Sequence, residues 1–255
     1  MIAPEFLVTD KVAIVTGSRR GIGKATALAL AEAGSNVAIC DAVADDGQLD
    51  AVAEEIRGLG RRSLSAQVDI SRRADVENLV EKVMNEFGRI DILVNNAGIL
   101  IKSLFLDMSD TDWDKLISTN LKGCYLCSQA VGRKMVDQKG GVIINVASQY
   151  AFKVTPGMGG YSIAKAGVAM LTRVLARELG PYGVRANAVA PGLARTDFSK
   201  ASWSDPQFLK QYEASVPLGR IAETDDLTGA ILFLASEASR YVTGHTILVD
   251  GGALA

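Results

Sequence analysis

A chain of 255 residues, 48% of them hydrophobic and 22% charged, carries enough apolar material for one sizeable core. Its 27 basic and 29 acidic side chains leave a net charge of −2. Without the concentrated basic surface that phosphate neutralisation requires, no nucleic-acid partner is expected. No run approaches the roughly 18 apolar residues of a membrane span, so no membrane partner is expected either. Met1–Asp10, with Pro4 and Glu5 and no basic start, does not read as a signal peptide. The three cysteines, Cys40, Cys124 and Cys127, make no disulfide framework. The C-x-x-C at 124–127 falls in a helical pattern and the lone histidine, His245, is distant, so no metal is expected. Buried thiols in a reducing cytoplasm are the simplest reading.

In chain order, the patterning predicts strand 12–16, helix 22–33, strand 37–40, helix 46–58, strand 64–68, helix 73–87 and strand 90–94. Helix 111–137, strand 142–146, helix 161–179, strand 184–189, helix 225–236 and strand 246–249 follow. Several strands are continuously apolar, as parallel strands covered on both faces must be. Gly34, Gly60, Gly88 and Gly180 follow four of the helices, where a left-handed glycine commonly stops the chain. The alternation predicts an α/β fold: one domain over residues 1–255, a Rossmann-like doubly wound parallel sheet of about seven strands, and helices on both faces. Only 192–216 lacks a regular pattern, and a loop of that length reads as a substrate lid.

The first strand runs straight into Thr16-Gly17-Ser18-Arg19-Arg20-Gly21-Ile22-Gly23, where a helix opens. Glycines there permit a tight turn, close approach to a pyrophosphate, and close packing of helix on strand. The phosphates would sit on the free N–H groups at the helix start. A strand before and a helix after are what give such a string meaning. The spacing is Gly-x3-Gly-x-Gly rather than the more widespread Gly-x-Gly-x2-Gly. Asp41 ends the second strand, eighteen positions beyond Gly23. A carboxylate there can accept both adenosine-ribose hydroxyls and repel the extra phosphate of NADP. Arg20 is the opposing signal, a loop cation able to pair with a 2′-phosphate, but neither 41 nor 42 is Arg or Lys. NAD is expected ahead of NADP.

With Asn95-Asn96-Ala97-Gly98 after the fourth strand, Ser148, Tyr161-x-x-x-Lys165, Pro191-Gly192 and the closing Val249-Asp250-Gly251-Gly252, the chain resembles the short-chain dehydrogenase/reductase family over nearly its whole length. The resemblance implies that Gly17, Gly21, Ile22 and Gly23 form the dinucleotide loop and that Asp69 lies near the adenine. It implies that Asn95, Ala97 and Gly98 stabilise the sheet and touch the adenosine side. Asn120 would hold a water of the proton relay, and Pro191, Gly192 and Thr196 would form the turn beside the nicotinamide. A homotetramer is implied too, one interface using helices 111–137 and 161–179 and the other the last helix and strand.

The chemistry explains these residue types. Oxidising an alcohol removes a hydroxyl proton while hydride leaves carbon, and the protein must supply the acid/base. Tyrosine, with an ordinary pKa of about 10, is a poor base unless a cation favours its phenolate. Lys165, four residues after Tyr161 in a helix, projects from the same face, and the resemblance has it bind the nicotinamide ribose as well. Ser148, at the carboxyl end of the fifth strand, can hold the substrate oxygen. No Gly-x-Ser-x-Gly surrounds it, so it is not a hydrolase nucleophile.

The lid region carries Phe198, Trp203, Phe208 and Tyr212 beside Arg195, Lys200 and Lys210, while Gln149, Phe152 and Met158 are candidate pocket residues. Three functions fit: an NAD-dependent dehydrogenase of small-molecule secondary alcohols, a 3-oxoacyl-thioester reductase using NADPH, and a non-catalytic dinucleotide-binding regulator. The three-residue gap between Tyr161 and Lys165 disfavours an enoyl reductase, in which that gap is typically longer.

Overall fold

The computed structural model describes residues 4–255; residues 1–3 fall outside the described residues, and with them the start of the Met1–Asp10 stretch. The predicted strands are β1 (Val12–Thr16), β2 (Asn36–Asp41), β3 (Ser63–Gln67), β4 (Ile92–Asn95), β5 (Gly141–Val146), β6 (Val184–Pro191) and β7 (Thr246–Val249). They form one sheet in the order β3-β2-β1-β4-β5-β6-β7, and every ladder is parallel.

Alternation along each strand explains the two layers. Ala13 and Val15 of β1, with Val37 and Ile39 of β2, face α1 (Gly21–Glu32), α2 (Gln48–Gly58) and the last long helix, α9 (Asp225–Ala235). Val12 and Ile14, with Ala38 and Cys40, face α3 (Arg73–Phe87) and α5 (Cys124–Gln138). Val168 of α6 (Gly159–Leu179) covers Ala188 and Ala190 of β6. Each Ile or Leu buried in these layers contributes about 1.5–3 kcal/mol. The chain reverses its direction of travel across the sheet between β1 and β4, opening a crevice at their carboxyl ends.

Three expectations are corrected. The helix expected at 111–137 is α4 (Asp110–Ile117), a π-helical stretch at Ser118–Gly123, and then α5. The stretch holds Gly123 so tightly to Ile70 that a Cβ would lie 2.6 Å from Ile70 Cδ1. Gly180 is right-handed, with φ −52; the chain tightens into a short 3-10 turn through Pro181, and Gly183, at φ 77, takes the left-handed stop. Residues 192–216 are not structureless: α7 (Lys200–Trp203) and α8 (Pro206–Ser215) occupy most of them. Asp205 caps α8, accepting from the backbone N–H groups of Gln207 and Phe208.

Candidate active site

The crevice at the sheet's carboxyl edge is a cavity of about 560 Å3. At one end lie the glycine loop and the tip of β2; at the other, the lid helices cover the region after β5. Gly17, at φ +64, has no room for a Cβ, which would sit 2.7 Å from Ala97 Cα. Gly21, at φ +58, faces Thr196, whose Cγ2 would lie 3.3 Å from an added Cβ. A Cβ on Gly23 would overlap the Gly17 carbonyl, so Gly23 seats α1 against the loop and does not itself line the cavity. The start of α1 carries no side-chain cap. An uncapped helix start beside two left-handed glycines, one of them with no room for a Cβ, fits a pyrophosphate group.

Asp41 lines the cavity, its Oδ1 accepting from Val43 N at 3.0 Å. The two loop arginines divide their work in a way the sequence did not reveal. Arg20 reaches the lid, its Nη1 donating to Asp197 Oδ2 at 2.8 Å, while remaining on the cavity wall. Arg19 is the cation beside Asp41, with Nε 3.8 Å from Asp41 Oδ1 and a guanidinium ion-paired with Asp46. Asp69 lines the cavity and accepts from Ser71 N at 2.9 Å and Ser71 Oγ at 2.7 Å.

Ile22, Ala97, Gly98, Pro191, Gly192 and Thr196 also lie on the wall. Asn95 does not. It is buried in the sheet, and its Nδ2 donates to Ser128 Oγ and Asn145 Oδ1, both at 2.9 Å. Asn96 is the residue sequence reasoning passed over: its Nδ2 donates to the carbonyls of Thr16 at 3.0 Å and Gly17 at 2.9 Å, clamping the glycine loop to β4. Its place beside Asn95 in the quoted motif was the available signal.

Ser148, Tyr161 and Lys165 meet on one buried wall. Lys165 Nζ donates to Val146 O at 2.7 Å and lies 5.7 Å from the centre of the Tyr161 ring. Asn120, at the π-helical stretch, is buried behind the wall. It accepts from Ile99 N and donates to Ile99 O, both at 2.9 Å. Gly98 allows that approach, since a Cβ there would lie 2.6 Å from Asn120 Oδ1.

The electrostatics differ from the expectation that Lys165 depresses Tyr161. Burial dominates both groups. It pushes Tyr161 up to about 12, against a lowering hydrogen bond from Ser148, and draws Lys165 down to about 8. Near neutral pH these directions keep the Tyr161 phenol protonated and make the Lys165 ammonium more acidic than an ordinary lysine. Burial likewise lifts the Cys40 and Cys124 thiols to about 12 and Cys127 well above its ordinary value, so the C-x-x-C pair is a poor source of thiolate. Among the described residues no group of His, Cys, Asp and Glu could hold a metal, and no helix is long and apolar enough to cross a membrane.

Phe198, from the 192–216 segment, lies beside Tyr161, the two rings 6.2 Å apart. Phe208 and Tyr212 of α8 stack at 6.2 Å, and both line the cavity. Gln149 and Met158 are on the wall as expected; Phe152 is 54% exposed and not on it.

Fold and cleft together define a doubly wound α/β protein with a dinucleotide crevice at the sheet's switch point. A family model described as Enoyl-(Acyl carrier protein) reductase matches residues 16–253. The 3-oxoacyl-[acyl-carrier-protein] reductase of Staphylococcus epidermidis is 42% identical over 245 residues, 95% of this chain and 98% of its own. A short-chain type dehydrogenase/reductase from Mycobacterium marinum superposes with a TM-score of 0.92 at 38% identity, covering 98% of each chain. The gluconate 5-dehydrogenase of Burkholderia cenocepacia, solved with NADP and tartrate, gives 0.93 at 36% identity over 98% of this chain and 97% of its own. The carveol dehydrogenase of Mycobacterium avium, solved with NAD, gives 0.92 at 30% identity over 97% and 98%. The chain belongs to the short-chain dehydrogenase/reductase family and is an oxidoreductase of that family.

Proposed function

We propose that this protein transfers hydride between NAD(H) and a secondary alcohol/ketone pair, with Tyr161 as the acid/base. The observation that carries the reading is the convergence of Ser148, Tyr161 and Lys165 on one buried wall of a cleft that has a glycine loop and Asp41 at its far end. A bound nicotinamide supplies or accepts the hydride. Ser148 Oγ holds the substrate oxygen and stabilises charge developing on it. Tyr161 Oη gives its proton to that oxygen in reduction and takes it back in oxidation. The Lys165 ammonium favours the phenolate at the moment it forms, while Val146 O holds the Nζ in place. Asn120, through its two bonds to Ile99, keeps the loop after β4 against the wall, where a relay water could pass the proton to solvent. Gly17, Gly21, Ile22 and Arg20 would hold the pyrophosphate side, Asp41 and Asp69 the adenosine side, and Thr196 with Pro191 and Gly192 the nicotinamide side.

Because Tyr161 stands near 12, the phenol is ready to donate at neutral pH, and oxidation should accelerate as pH rises towards that value. Tyr161→Phe should lower kcat by at least a hundredfold in both directions, while NADH fluorescence titration shows binding within about threefold of wild type. Near-normal turnover by the variant would refute the mechanism.

A second reading is a 3-oxoacyl-thioester reductase, favoured by the 42% identity to such an enzyme. Preference for NADPH with an acyl-carrier substrate would identify it. A purely regulatory dinucleotide binder has no use for three converging catalytic side chains. Three buried free cysteines suit a cytoplasmic location. The homotetramer rests on Ile163, Met170 and Val174, exposed at helical spacing on α6, with exposed Tyr125 on α5.

A further inference from the structure

Gln149 follows the catalytic Ser148 directly, is 2% exposed, and lines the cavity. A primary amide offers two N–H donors and a carbonyl acceptor, and burial makes each unused one costly. Its only side-chain partner among the described residues is the hydroxyl of Tyr212 on lid helix α8. That hydroxyl accepts from Leu193 N at 2.9 Å and from Gln149 Nε2 at 3.2 Å, which uses both lone pairs. What remains is the second Nε2 hydrogen, the Tyr212 O–H proton, with only Gln149 Oε1 at 3.4 Å within reach, and Oε1 itself. One amide cannot present both its nitrogen and its oxygen well to a single atom, so a donor and an acceptor are left side by side. The same cavity is lined by Leu100, Met158, Phe198 and Phe208, and by Tyr150, Thr155 and the bonded pair Lys102–Ser202.

A neighbouring donor and acceptor match a group that is both acceptor and donor, which is a hydroxyl. We propose that Gln149 and Tyr212 hold a second hydroxyl of the substrate close to the carbon that reacts, so that the substrate is a vicinal diol, polyol or sugar. A 3-hydroxyacyl thioester carries no hydroxyl beside its reacting carbon and leaves the pair unused. This rests on the dehydrogenase reading above and narrows it.

The test compares kcat/KM with NAD for matched pairs, 2-butanol against 2,3-butanediol and cyclohexanol against trans-1,2-cyclohexanediol, with 3-hydroxybutyrate and a 3-hydroxybutyryl thioester alongside. Wild type should favour the diol of each pair at least tenfold. Gln149→Met, which keeps volume and leaves Tyr212 bonded to Leu193 N, should cut the diol-to-alcohol ratio at least tenfold. Tyr212→Phe should cut it similarly. Loss of lid order would lower both members of a pair together and leave the ratio unmoved, which overturns the proposal. Wild-type preference for the simple alcohols or the thioester overturns it as well. Preference for 3-hydroxybutyrate would mean that Gln149 presents its N–H groups to a carboxylate, and that too overturns the hydroxyl subsite. Absence of turnover on every one of these substrates, with NADH binding intact, instead counts against the dehydrogenase reading itself.

Discussion

Lys165 is an ammonium buried to 4% exposure with one carbonyl partner, an arrangement that burdens the fold. Its pKa falls from an ordinary 10.5 to about 8, so the folded chain binds fewer protons than the unfolded chain between those values. Stability contributed at this position therefore rises with pH across that window. The penalty is fully present below pH 8 and gone above 10.5; at about 1.4 kcal/mol per pKa unit it amounts to about 3 kcal/mol. Lys165→Met should accordingly raise Tm by several degrees at pH 7 while abolishing turnover. The gain, followed by scanning calorimetry, should shrink by pH 10; an equal gain at both pH values would contradict the account. That Ser148, Tyr161 and Lys165 would meet on one wall was legible because Ser148 ends a strand at the sheet's carboxyl edge and Tyr161 and Lys165 lie one helical turn apart. Their protonation balance was not, because it is set by burial that only the packed lid and sheet create. Of the two parts of the Asn95 reading, the side chain bonds into the sheet at Ser128 and Asn145, while it does not line the cavity; a strand-end position does not say which way the side chain turns.

At the scale of elements, the strands were read correctly because parallel strands covered on both faces must be apolar throughout. The π-helical stretch escaped because residues 118–123 keep helical periodicity, and only the contact of Gly123 with Ile70 makes the extra width intelligible. The lid helices escaped because their aromatic residues pack on a cleft rather than on one continuous face. Two adjacent arginines in a loop cannot be assigned by spacing, and the structure sends Arg20 to Asp197 and Arg19 towards Asp41 and Asp46. Asp41 in this setting leads us to expect NAD to be used at least tenfold more efficiently than NADP. Asp41→Ala should remove most of that preference, and Arg19→Ala should weaken what NADP activity exists, as read from kcat/KM with each cofactor. A wild type favouring NADP, or an Asp41→Ala protein with unchanged preference, would sink the assignment.

On the scale of the whole molecule, a sheet of seven strands with helices on both faces was legible from alternation alone; which helix faces stay uncovered was not. Exposed apolar side chains on α5 and α6, and an edge strand β7 whose residues are only partly covered, are surfaces a lone chain gains little by presenting. Sedimentation at micromolar concentration should give about four times the 27.0 kDa of one chain, and a monomer alone would refute the tetramer. The lid, finally, is fastened at widely separated points: Arg20 to Asp197, Lys102 to Ser202 at 3.1 Å, and Tyr212 to Leu193 and Gln149. The first of these ties it to the loop that would cradle the pyrophosphate, and both partners of that ion pair are about half exposed. Outward movement of these helices would break that ion pair and so loosen the glycine loop as well, and the half-exposed pair would make such coupling sensitive to ionic strength.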